Sequence, residues 1–457
     1  MSDVVKFVRS QHERYLQELK EYLAIPSISS DPEKTQTMVE TAVFTAELLR
    51  NAGCPEVKVN STDGHPCVTG SWIFDESLPT IMIYGHYDVQ PVDPLDLWNS
   101  DPFDAQIVGD TIVARGSADD KGQLFMHIKA VEAYTKTVGK PPINIKFLLE
   151  GEEEIASPSL AAFLEKNKDD LKADIIIISD TGMIGPGKPA ITYGLKGLTY
   201  MELDVTGPDH DLHSGEFGGA VANPVEILAR MVASVKDENG RIQIPGFYDK
   251  VAEVTAEERA ELARVPFDET DYKKHIDLDA LWGEEGFSTV ERTWIRPTFE
   301  VNGMWGGFIE PGAKTVLPSK AGLKMSMRLV PDQDPNEIAD LVEDYFNKIA
   351  PDTIKLKVIR HGGGYPVVVS LDNPFMDGAT KALNDAFNQQ PYMIRGGGSI
   401  PIVADFKKIL GLDSLLVGFC SPSARVHSPN ENMDLPSFFT GIESLVLMYE
   451  NFADLKK

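Results

Sequence analysis

Four carboxylates follow one short apolar run, with a single glycine between them. The run INIKFLL (143–149) leads into Glu150, Gly151, Glu152, Glu153 and Glu154. Like charges repel, and carboxylates near a core lose hydration that only a partner can replace. The segment is therefore either an exposed acidic turn, as most charge runs are, or one corner of a cation site. Residues elsewhere in the chain distinguish the two interpretations.

Histidines and aspartates also follow other short apolar runs. TIMIY (80–84) precedes His86 and Asp88, TIVARGS (111–117) precedes Asp119 and Asp120, DIIIIS (174–179) precedes Asp180, and SLLVGFC (414–420) precedes His427. Ligands of open α/β sheets bind beyond the carboxyl ends of the strands. A lone aspartate after a strand is commonly a turn former or helix cap. Five such runs together predict that these side chains meet at one edge of a sheet and bind metal.

The ligand types narrow the choice of metal. Imidazole and carboxylate without thiolate suit zinc, manganese or cobalt. Three carboxylates and two histidines exceed what one catalytic zinc usually takes, and they can hold two ions if one carboxylate bridges. Asp88 lies two residues from His86, where it can accept the other ring N–H and fix the tautomer.

The acidic run can also supply a general base. If one glutamate binds metal, its neighbour can stand over the attacking water. Adjacent residues of an extended segment point in different directions, so Glu153 and Glu154 can have different roles. We expect Glu150 and Glu152 to be structural.

The elements that must position these residues follow two patterns. Up to about residue 195, apolar runs alternate with helical patterns at about 36–52, 121–137 and 158–171, which predicts a sheet covered on both faces. From 197 to 365 the order becomes βαββαβ, a ferredoxin-like layout, interrupted by an acidic insertion at 243–295. We therefore predict an α/β catalytic domain of residues 1–196 and 366–457, with an inserted α+β domain of residues 197–365.

Composition excludes several classes of protein. A chain of 457 residues is long enough for two domains, and its net charge of −27 disfavours nucleic-acid or anionic-membrane surfaces. Three cysteines without CxxC spacing are no disulfide framework. The N-terminal segment reads as one amphipathic helix without a signal-peptide core, and the run IIII (175–178) is too short to span a bilayer. We expect a cytoplasmic protein.

Eight motifs occur in the order typical of one enzyme family: GHYDVQP, RGSADDKG, LLEGEEE, SDTG, DLHSG, MRLVP, GGGSIP and VHSPNE. The chain resembles the M20 family of metallopeptidases over nearly its whole length, and most of all its branch of carnosine and cysteinylglycine dipeptidases. The resemblance implies a mixed-sheet, metal-dependent exopeptidase-like catalytic domain, an inserted ferredoxin-like lid and dimerisation domain, and a homodimer that acts on small peptides.

The resemblance also assigns the site. It implies two divalent ions, zinc or manganese, with His86 and Asp180 on one ion, Glu154 and His427 on the other, Asp119 between them, and Glu153 as general base. The Asp119–Asp120 peptide bond would be cis. His213 would steady the oxyanion in the partner subunit's active site, Arg328 would bind the substrate's C-terminal carboxylate, and a glycine loop with Gly398 and Ser399 would line the substrate pocket. Guanidinium suits a carboxylate because it binds bidentately.

One position departs from the family pattern. Carnosine-type dipeptidases tend to read REGGSIP, whereas this chain has Gly396 at the glutamate position. If that carboxylate helps to hold a substrate's amino group, its absence leaves open whether the insertion at 243–295 compensates.

The predicted reaction is hydrolysis of short peptides, chiefly dipeptides with a free C-terminal carboxylate. One alternative is an N-acyl amino acid deacylase or desuccinylase of the same fold, which the Gly396 departure favours. Another is a non-catalytic metal-containing binding protein, which the presence of Glu153 disfavours. A serine or cysteine hydrolase has little support because no GxSxG motif occurs.

Overall fold

The computed structural model describes residues 2–397 and 400–455, which form two compact units. The first unit consists of Met1–Tyr193, Val369–Ile394 and Asp405–Lys457, and the second of Gly194–Val368 and Arg395–Ala404. The sequence pattern predicts that the chain passes between the two domains after residues 196 and 365. The units instead divide after residues 193 and 368, and residues 395–404, predicted in the first domain, belong to the second unit.

Helices and strands alternate along the chain. The strands are β1 Glu56–Asn60, β2 Cys67–Trp72, β3 Thr80–His86, β4 Gln106–Val108, β5 Thr111–Val113, β6 Asn144–Glu150, β7 Ile175–Ile178, β8 Ala190–Leu195, β9 Gly197–Thr206, β10 Leu212–His213, β11 Thr298–Gly306, β12 Val316–Leu317, β13 Lys320–Leu329, β14 Lys355–Gly364, β15 Val367–Val368, β16 Tyr392–Gly396, β17 Ser414–Leu416 and β18 Asn432–Asp434. The helices are α1 Asp3–Ser10, α2 His12–Leu23, α3 Thr35–Asn51, α4 Lys121–Thr137, α5 Leu160–Lys166, α6 Ser214–Phe217, α7 Pro224–Ala233, α8 Ala256–Leu262, α9 Glu269–His275, α10 Thr289–Trp294, α11 Pro335–Ile349, α12 Pro374–Phe387, α13 Pro401–Asp405 and α14 Leu435–Ala453.

The main sheet of the first unit is mixed, as predicted. Its strand order is β1-β2-β6-β3-β7-β17-β8-β15, with β16 paired to β8. The central strands β6, β3, β7 and β17 run parallel, and every residue of β3 and β7 is buried. Such continuous apolar strands need cover on both faces. Because parallel strands end at the same edge, the segments that follow these four strands are neighbours.

The run TIVARGS does not belong to this sheet. Its strand β5 lies in a separate antiparallel sheet of order β18-β5-β4. The expectation that five strands of one sheet deliver the polar residues is therefore wrong for this run. Two of the three residues of β5 are only half-buried, whereas every residue of the central strands β3, β7 and β17 is buried.

Helices pack the first unit's core. In α4, residues 121–134 are all buried, and α4 packs against α14 and α1. The N-terminal segment forms two helices rather than the single one predicted, with Gln11 between α1 and α2. Arg9 of α1 pairs bidentately with Glu443 of α14, at 2.8 and 2.7 Å, which ties the N-terminal helix to the core.

The second unit has the predicted ferredoxin-like layout. Its antiparallel sheet has the order β14-β9-β13-β11, with α7 and α11 as its helices. Residues of β9 alternate strictly between buried and half-buried, because one face of the sheet covers a core that includes Leu203, Met325 and Phe346. Among the described residues, no helix is both long enough and apolar enough to cross a bilayer.

Candidate active site

Most of the predicted site residues lie at or after the ends of the parallel strands of the main sheet. His86 is the last residue of β3, Asp180 follows β7 by two residues, and His427 lies in the loop after β17. The acidic run follows β6, where Glu153 begins a short 3₁₀ turn, Glu153–Ile155. Register explains their proximity, since His86 is paired with Glu150 on the neighbouring strand.

Asp119 reaches the same place from the loop between β5 and α4, and a buried glutamate holds that loop. Glu431 accepts hydrogen bonds from Arg115 Nη1 at 2.7 Å and from the N–H groups of Gly116, Ala118 and Asp119 at 3.1, 2.9 and 3.0 Å. Both carboxylate oxygens are thus used. The sequence pattern does not indicate this role of Glu431, although the residue stands in the VHSPNE motif that contains His427.

These side chains form two overlapping groups. Within the described residues, ligand atoms of His86, Asp119 and Asp180 lie within 4.8 Å of one another, and so do those of Asp119, Glu154 and His427. Asp119 belongs to both groups. Its Oδ1 is 3.1 Å from His86 Nε2, and its Oδ2 is 2.9 Å from His427 Nε2. The Asp119–Asp120 peptide bond is cis.

The electrostatics of the groups suit cations. Burial alone would lower the pKa of His86, but the Asp119 and Asp88 carboxylates raise it well above the usual range. Hydrogen bonds to Asp119 and Glu154 raise the pKa of His427 to about 10. Burial, with Asp119 nearby, raises the pKa of Asp180 well above its ordinary value. The carboxylates around the two histidines thus favour positive charge at positions that metal ions can occupy.

The donor set fits two divalent ions. Each group offers imidazole nitrogen and carboxylate oxygen, the combination that zinc and manganese accept, and one carboxylate is placed to bridge. So many carboxylates around a buried point are costly unless cations neutralise them. His86 and Asp180 would share one ion with Asp119, and Glu154 and His427 would share the other.

Glu153 and Glu154 have different surroundings. Gln90 Nε2 donates a hydrogen bond to Glu154 Oε2 at 2.7 Å. The sequence pattern does not predict this contact, although Gln90 stands in the GHYDVQP motif. Burial, together with the Asp119 carboxylate, raises the pKa of Glu153 to about 7. A carboxylate with that pKa can both accept and return a proton near neutral pH.

Asp88 connects the two sides of the site. Its carboxylate accepts hydrogen bonds from the N–H groups of Glu153 at 3.3 Å and Glu154 at 3.1 Å. The other ring nitrogen of His86, Nδ1, lies 3.1 Å from the Asp88 backbone carbonyl and 3.3 Å from its carboxylate. Asp88 thus contacts both His86 and the backbone of the acidic turn.

The remaining two carboxylates of the run are structural. Glu150 accepts hydrogen bonds from the hydroxyls of Tyr84 at 2.6 Å and Ser157 at 2.8 Å, and burial raises its pKa to about 8. Glu152 accepts from the N–H groups of His65 and Ser159 at 3.0 and 3.1 Å. The acidic run is therefore not an exposed turn, because Glu150 and Glu152 each accept two hydrogen bonds from neighbouring residues.

The predicted lid residues lie in the second unit. His213 is exposed, and its Nδ1 accepts the N–H of Gly215 at 3.0 Å as the cap of α6. Arg328 is half-buried on β13, where burial lowers the pKa of its guanidinium. Gly396 ends β16, whereas Gly398 and Ser399 lie outside the described residues.

Known proteins are similar to this chain over nearly its whole length. The model of peptidase family M20/M25/M40 matches residues 82–451. Cys-Gly metallodipeptidase DUG1 of Candida albicans is 33% identical and covers 94% of this chain and 93% of its own length. Human Beta-Ala-His dipeptidase is 31% identical over 100% of this chain and 93% of its own.

Solved structures are similar as well. Human carnosine dipeptidase 1 has a TM-score of 0.84 at 31% identity and covers 99% of this chain and 98% of its own. The M20 family metallo-carboxypeptidase Sso-CP2 from Sulfolobus solfataricus has a TM-score of 0.87 at 33% identity and covers 96% of this chain and 99% of its own.

Proposed function

The chain belongs to peptidase family M20/M25/M40, and we propose that it is a dinuclear metal-dependent dipeptidase. Its substrates are dipeptides with a free C-terminal carboxylate. The observation that carries the proposal is the pair of ligand groups that share Asp119. The dipeptidases of Candida albicans and human, similar over nearly their whole length, support the choice of substrate.

We assign the metal ligands by group. His86 and Asp180 would hold one ion, Glu154 and His427 would hold the other, and Asp119 belongs to both groups. Two divalent ions, zinc or manganese, would supply Lewis-acid activation of the water and of the scissile carbonyl there. Asp88, Gln90 and Glu431 keep the ligands and the acidic turn in place through the hydrogen bonds described above.

The proton transfers belong to Glu153. As the water oxygen bonds to the scissile carbonyl carbon, Glu153 accepts the water's proton, and it delivers that proton to the amine nitrogen when the C–N bond breaks. We assign His213 to stabilisation of the oxyanion and Arg328 to the substrate's carboxylate. The glycine loop with Gly398 and Ser399 is assigned to the substrate pocket.

We further propose that the active form is a cytoplasmic homodimer. Edge strand β11 of the lid sheet carries exposed apolar side chains, namely Val301, Met304 and Trp305 at 44, 41 and 45% exposure. A second copy that covers this edge would bury them. For the compartment, the support is that all three cysteines lie in the described part of the chain and are free, as is usual under reducing conditions.

A paired hydrolysis assay tests the function. Metal-stripped protein is reloaded with Mn²⁺ or Zn²⁺ and offered free-amine dipeptides beside the matching N-acetylated amino acids. Metal-dependent cleavage of the dipeptides supports the proposal and makes the Gly396 departure unimportant. Preference for the acylated compounds would move the function to the deacylases, and cleavage of neither would contradict a hydrolytic role.

A second candidate is a carboxypeptidase that acts on longer peptides. The similarity to a solved structure described as a metallo-carboxypeptidase favours it. Tripeptides and tetrapeptides in the same assay distinguish the two, because a dipeptidase loses activity as the peptide lengthens, whereas a carboxypeptidase keeps releasing the last residue.

A further inference from the structure

The acidic insertion (243–295) contains a small packed core of its own. Leu262 of α8 contacts Val290 and Ile295 at the two ends of α10. The same two helices are joined by an ion pair of 2.7 Å between Arg259, whose side chain is 43% exposed, and Glu291, whose side chain is only 6% exposed. Separating the helices would leave the buried Glu291 carboxylate without this partner, which is costly.

Helix α8 of the insertion also pairs with Arg395, the residue before Gly396. Arg395 Nη2 lies 2.7 Å from Glu258 Oε1, and the two side chains are 18 and 21% exposed. The aliphatic stem of Arg395 lies close to Gly194, where an added Cβ would be 3.2 Å from its Cγ and Cδ. Arg395 is thus enclosed between a strand and the insertion, with Glu258 as a partner for its charge.

Helix α10 contacts the neighbouring segments through its last carbonyl groups. Arg292 O accepts a hydrogen bond of 3.1 Å from the buried Lys196 ammonium. Thr293 O would lie 3.0 Å from a Cβ added at Gly397, so the chain at Gly397 runs against the helix end. Carbonyl groups in the last turn of a helix lack partners within the helix and carry partial negative charge, which suits the ammonium.

Two cationic side chains, Lys196 and Arg328, belong to the same unit as Arg395. Burial, together with the positive charge of the nearby Arg328, lowers the pKa of Lys196 to about 7. Lys196 directly precedes β9, where Leu198 pairs with Arg328 of β13. A guanidinium at Arg395 without Glu258 would add one more positive charge beside the glycine segment (Gly396 and Gly397).

We propose that Glu258 is a positioning residue that sets the charge selectivity of the substrate site. It neutralises Arg395 and so keeps the glycine segment from favouring acidic side chains in the substrate. The inference rests on the proposed function, in which the glycine loop borders the substrate pocket, and it gives the acidic insertion a role in substrate choice. Because the effect is electrostatic, it depends on the substrate's charge and on salt.

The test compares Glu258→Gln with wild type on dipeptides that differ only in one side chain: acidic, neutral or basic. We expect the ratio of kcat/KM for the acidic over the basic dipeptide to rise about tenfold at low salt, as a unit charge within several ångströms would produce. The rise should shrink at high salt. The kcat for the neutral dipeptide should stay within about twofold, since no group that reacts is changed.

Two further variants serve as controls. Glu261→Gln removes a carboxylate from the same helix that pairs only with Arg264 within the described residues, and it should leave the ratio unchanged. The double variant Glu258→Gln/Arg395→Gln removes both charges and should return the ratio to the wild-type value.

An unchanged ratio in Glu258→Gln would overturn the inference, and so would an equal loss of turnover on all three dipeptides, which would indicate a purely structural role. If wild-type protein cleaves dipeptides, either result refutes the inference alone. If wild type cleaves no dipeptide, the proposed function fails and the inference with it.

Discussion

At the scale of the residue, the four carboxylates of residues 150–154 have different roles because their neighbours differ. Glu150 and Glu152 meet hydroxyl and N–H donors, Glu154 joins a group with Asp119, and Glu153 is half-buried with a raised pKa. The division of roles therefore follows from local contacts.

The general base gives the sharpest prediction at this scale. Glu153→Gln should keep metal affinity near wild type, because Glu153 is absent from both ligand groups, and should lower kcat about 10²- to 10⁴-fold. Steady-state kinetics with metal content measured on the same sample checks this. Glu154→Gln is the matched variant and should lose metal. Near-normal turnover of Glu153→Gln would rule out its role as base.

Glu431 is expected to act on metal binding from a distance. Glu431→Gln replaces an acceptor of four hydrogen bonds by a group whose NH₂ faces N–H donors, so the Asp119 loop should shift. Metal affinity should fall about 10- to 100-fold, measured by competition with a chelating dye. An affinity equal to that of wild type would show that α4 and the sheet position Asp119 without Glu431.

Metal binding should release protons. Hydrogen bonds to carboxylates raise the pKa of His427 to about 10, and the Asp119 and Asp88 carboxylates hold that of His86 well above its usual range, so bound cations would compete with protons for these nitrogens. Calorimetric titration in two buffers of different ionisation enthalpy should therefore show proton release on metal binding, and the affinity should fall as the pH is lowered. Binding without proton release would contradict this electrostatic description.

At the scale of the element, parallel strand order determines which loops meet. Strands β3, β6, β7 and β17 are parallel neighbours, so their carboxyl ends bring His86, the acidic run, Asp180 and His427 to one edge. Helix α4 is buried along its first 14 residues and fixes the loop that carries Asp119. A slip of one residue in these strands would turn the ligands to the other face of the sheet.

A buried histidine in α4 predicts how stability depends on pH. His127 is hydrogen-bonded to Tyr449 and Ser179 at 2.8 and 2.7 Å, and burial lowers its pKa to about 3. Below about pH 6.5 the unfolded chain binds a proton there that the folded protein excludes, so stability present above pH 6.5 is lost as the pH falls.

Urea unfolding at pH 7.5 and pH 5 provides the measurement. Wild type should lose about 2 kcal/mol more between the two pH values than His127→Gln, which cannot take up the proton. Equal losses in the two proteins would show that His127 is protonated in the folded state or contributes nothing to the pH dependence.

At the scale of the whole molecule, the chain divides its tasks between two units. The ligand groups lie within the first unit, whereas Arg328, His213 and the insertion belong to the second. The edge strand β11 of the second unit carries exposed apolar side chains. The second copy in the proposed dimer would cover them.

The dimer is tested at that edge. Trp305→Glu should shift the protein to a monomer in analytical ultracentrifugation, because a charge would be buried in the contact between copies. Leu97→Glu changes a residue of the first unit that is 58% exposed and should leave the sedimentation of wild type unchanged. If Trp305→Glu sediments like wild type, the contact between copies lies elsewhere.

Residue types, their order and the alternation of elements can be read from the sequence, and with the family resemblance they predict both folds and the candidate ligands. His86 and Asp180 are candidates because they stand at or just after the ends of apolar runs, and a local pattern of this kind depends only on neighbouring residues. The ferredoxin-like layout was predicted for the same reason, since its strands alternate visibly.

Only the tertiary structure decided what depends on distant parts of the chain. It separated TIVARGS from the main sheet, brought Glu431 to the Asp119 loop and set Glu258 against Arg395. Each of these contacts joins residues far apart in sequence, and packing and strand pairing specify such contacts rather than local propensity. The sequence names the chemical groups, and the packed fold determines which of them meet.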